Sequence, residues 1–155
     1  MYVGVGKTSL IQSVLNKPVS PGDIPTTLMK VKGREYQLFI EDCKNIEDME
    51  FEELMSQSHP SFNNTDIFIV AFSINDKKSY QNVSNKWICL IEKYTERRKI
   101  FMLGLKCDLR LDGSACVTFD EAVKKSDRNK CLGYYECSIV DNTGKYQRFI
   151  ELYEL

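Results

Sequence analysis

The chain has 155 residues, 43% of them hydrophobic and 28% charged, with a net charge of -1. That length fits one domain with a buried core, and that balance excludes a disordered chain. It also leaves no basic footprint for nucleic acid and no basic cluster for an anionic membrane.

The six cysteines, Cys43, Cys89, Cys107, Cys116, Cys131 and Cys137, stand singly, and His59 is the one histidine. Neither a metal cluster nor a disulfide framework follows from that spacing, so reduced thiols are expected. Asn63-Asn64-Thr65 fits a glycosylation pattern but carries no meaning in a cytoplasmic chain. The sequence shows no signal peptide, no apolar run of membrane-spanning length and no terminal lipidation box. A cytoplasmic monomer without a membrane anchor is the expectation.

In chain order, 8–15 is expected as a helix with Leu10, Ile11 and Val14 on one face. Residues 19–27 are a loop rich in proline, 36–40 a strand and 47–56 an acidic helix. Residues 66–73 hold the unbroken apolar run Ile67 to Phe72, and 79–94 form a helix carrying Trp87. An apolar strand at 99–105 follows, then a helix at 119–125, a short strand at 134–138 and a last helix from Tyr146 onward. Strands apolar on both faces belong inside a parallel sheet covered by helices, and their alternation with helices predicts an α/β fold. Ligands in such sheets sit beyond the strand C-termini. Asp42, the pair Lys106 and Asp108, and Ser138 all follow strands. Phe68, Phe72, Tyr80 and Trp87 are expected in the core.

Gly4-Val5-Gly6-Lys7-Thr8-Ser9 resembles the end of a Walker A phosphate loop. Glycines let backbone N–H groups turn toward phosphate oxygens, and the helix that starts here adds the positive end of its dipole. Lys7 would reach the β- and γ-phosphates and Thr8 would ligate Mg²⁺. The first glycine of that motif is replaced by Met1, and the strand that should feed the loop is missing from the sequence. Its neighbours should then lose ladder hydrogen bonds.

From this loop onward the chain resembles the Ras-like small GTPases, and most of all their Rho/Rac branch. The resemblance implies a three-layer α/β/α fold with a mostly parallel central sheet, and GTP or GDP with Mg²⁺ as ligands. Ile24-Pro25-Thr26 is similar to switch I, where Thr26 would meet Mg²⁺ and the γ-phosphate. Asp42 resembles the aspartate that holds Mg²⁺ through water. Ser79-Tyr80-Gln81-Asn82-Val83 and Lys86-Trp87 look like Rho. Lys106-Cys107-Asp108 resembles the base-recognition motif: Asp108 would accept two hydrogen bonds from guanine, which adenine cannot supply, and Lys106 would lie along the base. Glu136-Cys137-Ser138 matches the last family motif, followed by Ile139 where alanine is usual.

Several residues depart from that pattern. Asn45 replaces the glycine that contacts the γ-phosphate, and Ile46 replaces the glutamine that orients the attacking water. Val3 replaces a small residue beside the γ-phosphate. Impaired hydrolysis is expected, with no catalytic glutamine. Leu105 stands where Asn or Thr ties the base motif to the phosphate loop, and Val19 where an aromatic covers the base. The effector segment after Thr26 is short, and the Rho insert after the base motif is missing, so the effectors and regulators of the family do not carry over. A nucleotide-independent scaffold and a degenerate chain that does not fold are the other readings. Nucleoside kinase chemistry is disfavoured because Arg97-Arg98 lies away from the phosphate side.

Overall fold

The computed structural model describes residues 4–15, 18, 24–40, 42, 65–95, 99–112 and 115–141. The expected helices at 47–56 and from Tyr146 onward lie outside them, as do Val3, Val19, Asn45 and Ile46. Helix α1 (Lys7–Leu15) leaves the glycine-rich loop. Strands β1 (Thr26–Val31) and β2 (Arg34–Phe39) follow as an antiparallel hairpin. Strand β3 (Phe68–Ser73) leads into one helical stretch: α2 (Lys77–Asn82), a π-helical turn (Val83–Ile88) and α3 (Cys89–Tyr94). Strand β4 (Ile100–Leu105), a 3₁₀ helix (Cys107–Asp112), helix α4 (Phe119–Arg128) and strand β5 (Gly133–Cys137) complete the described part.

Strands β3, β4 and β5 form a parallel sheet in that order, while β1 and β2 form a separate two-stranded sheet. Among the described residues the two sheets share no ladder. The expected α/β class is present.

Two apolar layers cover the parallel sheet. Every residue of β4 is buried, and its side chains alternate between the layers. Ile100 and Met102 join Val70 and Phe72 of β3, Ile88 and Ile91 of the helical stretch, and Ala122 of α4. Leu103 and Leu105 join Leu10 of α1 and Cys137 of β5 on the other face. The hydrophobic runs of β3 and β4 thus reflect burial on both faces. Phe72 is fully buried, and Phe68, Tyr80 and Trp87 pack against the first layer, as expected of core aromatics.

Local chemistry explains the boundaries. Asp76 caps α2 by accepting from the backbone N–H groups of Lys78 and Ser79, so the helix starts two residues before the expected 79. Thr118 and Glu121 form a reciprocal capping box at the start of α4. The hairpin turn Lys32-Gly33 has φ of 48° and 81°. Positive φ at both central residues is the turn whose twist matches paired strands. The expected loop at 19–27 therefore gives way to a strand at Thr26, and the expected strand at 36–40 begins earlier, at Arg34; Lys32-Gly33 between Val31 and Arg34 carries the turn signal.

Gly104 in β4 is fixed by its neighbour. A Cβ there would collide with Tyr134 Oη and lie 3.2 Å from Ile74 Cγ2. Gly104→Ala is expected to destabilise the fold by about 1–3 kcal/mol through overpacking, read as a lower urea midpoint at unchanged slope. Among the described residues no helix is long and apolar enough to cross a membrane.

Candidate functional site

The glycine-rich loop turns into α1 at Gly6, whose φ of 106° lies in the region that favours glycine. The carbonyl of Gly6 accepts the first helical bond from Leu10 N at 3.0 Å. Gly4 is exposed with open space around it. Val5 is half-buried against the second apolar layer, which anchors the loop. Lys7, Thr8 and Ser9 then occupy the first turn of α1, where unpaired backbone N–H groups and the helix dipole favour an anion.

Thr8 Oγ1 donates to Asp42 Oδ2 at 2.7 Å. This bond joins residues 34 positions apart and draws a hydroxyl and a carboxylate to one point. Both are hard oxygen donors of the kind Mg²⁺ accepts. That ion takes one or two protein ligands and completes its shell with water and phosphate oxygens. The donor set fits it. Thr26 is exposed at the first position of β1, opposite Phe39, and Ile40 N donates to Pro25 O at 3.0 Å. This pairing sets Thr26 at the end of the hairpin from which the chain runs on to Asp42.

The base motif follows β4 directly. Lys106 holds a left-handed φ of 63°, a conformation that costs energy for a side chain larger than glycine. A Cβ on Gly6 would sit 3.8 Å from Leu105 Cδ1 and 4.0 Å from Lys106 Cε, so these two residues back the phosphate loop. Leu105 thus supplies an apolar contact where the family pattern has a polar tie. Asp108 lies in the first turn of the 3₁₀ helix, and its Oδ1 is buried with no hydrogen-bond partner. A buried carboxylate oxygen left so is costly unless a ligand completes it.

Ser138 is fully buried, and its Oγ accepts from Val140 N at 3.1 Å and Asp141 N at 3.4 Å. The hydroxyl therefore shapes the loop after β5 rather than facing outward. Ile139 beside it packs into the same apolar layer as Val5, Leu10 and Leu105. One hydrophobic cluster thereby holds the phosphate loop, α1, the end of β4 and the loop after β5 together.

Two groups near the base motif, Arg110 and Tyr134, escaped sequence reading. Arg110, on the 3₁₀ helix, donates from Nη1 and Nη2 to Glu136 Oε2 and Oε1, each at 2.7 Å. Tyr134 Oη donates to the same Glu136 Oε1 at 2.5 Å. The hydrogen bond to Glu136 raises the Arg110 pKa above its ordinary value, and burial raises that of Tyr134. Both protons are held firmly at all working pH values. Burial also pushes the Cys107 thiol up, and the acidic groups Glu136, Asp141 and Asp108 add to this against Arg110. Cys107 is thus a protonated thiol near neutral pH and lacks the electropositive setting of a reactive cysteine.

Comparison with known proteins agrees with this arrangement. The family model described as Ras family matches residues 2–155. The Ras-like GTP-binding protein RHO1 of Entamoeba histolytica is 31% identical over 151 residues, covering 94% of this chain and 68% of that relative. With that match over nearly the whole chain, on an α/β fold with a parallel sheet, the chain belongs to the Ras family of small GTPases.

Proposed function

We propose that the chain is a guanine-nucleotide-binding signalling module that holds GTP or GDP with Mg²⁺ and hydrolyses GTP close to the uncatalysed background. The observation that carries the guanine assignment is the buried Asp108 Oδ1, which finds no hydrogen-bond partner. Guanine offers N1–H and the exocyclic amine side by side, and one carboxylate can accept from both. Gly4, Val5 and Gly6 would present backbone N–H groups to the phosphates, with Lys7 as the cation and Ser9 in the helix's first turn. Lys106 would lie along the base, with Ser138 and Ile139 framing its far side through their loop. Mg²⁺, held by Thr8, by Thr26 and through water by Asp42, would neutralise charge on the β- and γ-phosphate oxygens. The donor pair of Thr8 and Asp42 supports that reading.

The weak hydrolysis follows from Ile46 and Val3. A module that turns over slowly takes its state from nucleotide exchange and the ratio of GTP to GDP around it. It would act as a cytoplasmic monomer with effector and regulatory proteins as partners, and the effector choice of Rho proteins does not carry over to it because the segment after Thr26 is shortened.

Thermal melting tests this directly. A ligand at one hundred times its Kd stabilises the native state by about 2.7 kcal/mol, which in a chain of this size raises the midpoint by roughly 5–10 °C. Excess GTP or GDP with Mg²⁺ is expected to give such a shift, and ATP is not. A cooperative melt unmoved by any nucleotide would replace this reading with a scaffold that ignores nucleotide. Equal shifts with ATP and GTP would remove the guanine assignment.

A further inference from the structure

The two loops assigned to the base leave the C-terminal ends of neighbouring parallel strands, β4 and β5. Each is weakly built on its own. The first is a six-residue 3₁₀ helix, a poor hydrogen-bonding geometry in runs of that length, entered through the strained Lys106. The second is shaped by the Ser138 hydroxyl. Between them lies one strong cross-link. Arg110 stands two residues after Asp108, and Glu136 two residues before Ser138. Their bidentate pair has both distances at 2.7 Å. Glu136 is only 12% exposed, against 33% for Arg110. The carboxylate is fixed from a third side by Tyr134 Oη. Arg110 Nη2 also donates to Val117 O at 2.9 Å, and Val117 N donates to Ile74 O at 2.8 Å. The guanidinium is thereby tied to the backbone beyond β3 as well as to β5.

A planar guanidinium held this way fixes both direction and distance, which a point charge would not. We propose that Arg110 and Glu136 are positioning residues that set the spacing between the Asp108 carboxylate and the Ser138–Ile139 loop, and so govern how selectively and how long guanine nucleotide is held. This inference rests on the guanine reading of Asp108. Neither side chain touches the base. The pair acts by holding Asp108 where it can meet the exocyclic amine, so a slack pair weakens that bond first.

The test compares GDP with inosine diphosphate, which lacks the exocyclic amine. Glu136→Gln keeps the volume and the acceptor but removes the charge. Dissociation of a fluorescent GDP analogue is expected to speed up about tenfold, the factor that corresponds to one charge-assisted hydrogen bond lost. The preference for GDP over inosine diphosphate should fall with it, and Arg110→Lys should fall between Glu136→Gln and the parent. Arg110→Gln, at a partly exposed side chain, makes the same comparison should Glu136→Gln give no cooperative melt. A purely structural role would weaken both nucleotides equally, so an unchanged preference in a folded variant overturns the positioning role and leaves the guanine reading standing. A parent chain that binds neither nucleotide, or both alike, overturns the guanine reading and this inference together.

Discussion

Asp108→Ala is expected to lower GDP affinity by roughly 10²–10⁴-fold, because two hydrogen bonds to a charged acceptor are lost at about 1.5–3 kcal/mol each. The carboxylate costs the free chain energy, since its Oδ1 is buried without a partner. Removing it should therefore leave the folded chain no less stable, with the melting midpoint without nucleotide unchanged or slightly raised. Affinity and stability should move apart, which separates a ligand-binding carboxylate from a structural one. The residual affinity should come from the phosphates, so the variant should hold GDP and inosine diphosphate equally. Isothermal titration of both nucleotides measures this. GDP affinity unchanged in Asp108→Ala would show that the carboxylate does not meet the base.

The local parts of the site were readable in the sequence. The glycines and Lys7-Thr8 mark a helix entry whatever the fold around them, because a phosphate loop is made by consecutive residues. The strands β3 and β4 announced themselves by apolar runs of the length that burial on both faces requires. What could not be read depends on partners far apart in the chain. The Arg110–Glu136 pair spans 26 positions, and nothing in either local sequence names the other, whereas Thr8 and Asp42, 34 positions apart, are brought to one point in the sequence only by the family resemblance. Gly104 reads as an ordinary strand-weakening residue until Tyr134 is seen to fill the place of its side chain.

The hairpin shows a different obstacle. Residues Leu28, Gln37 and Phe39 share its exposed face, with Leu28 73% and Phe39 68% exposed, while Leu38 is buried on the other. Apolar side chains on both faces blur the alternation that would mark a half-buried strand. Only the turn at Lys32-Gly33 signals the pairing. The π-helical turn Val83–Ile88 carries no sequence signal that a helix of ordinary period would lack.

Hydrolysis should respond to the two positions that depart most sharply from the family pattern, Ile46 and Val3. An isoleucine has neither donor nor acceptor, so it cannot orient a water for attack on the γ-phosphate. A valine in place of a small residue would crowd the space that this water, or an arginine from an activating protein, must enter. One positioned polar group at a transition state is worth on the order of 10²–10³ in rate. The two changes act on the same step, so each alone should recover little: glutamine is useless where the water is excluded, and space is useless where nothing orients the water. Val3→Gly combined with Ile46→Gln is therefore expected to raise single-turnover phosphate release by about 10²-fold at unchanged GTP affinity, well beyond the product of the single variants. The parent chain should stay at background in the same assay. Turnover by the parent at the rate of an active relative would remove the argument from Ile46 and Val3 altogether. A double variant that binds GTP but stays silent would move the defect to Asn45, whose position in the family pattern is the glycine that meets the γ-phosphate through its backbone.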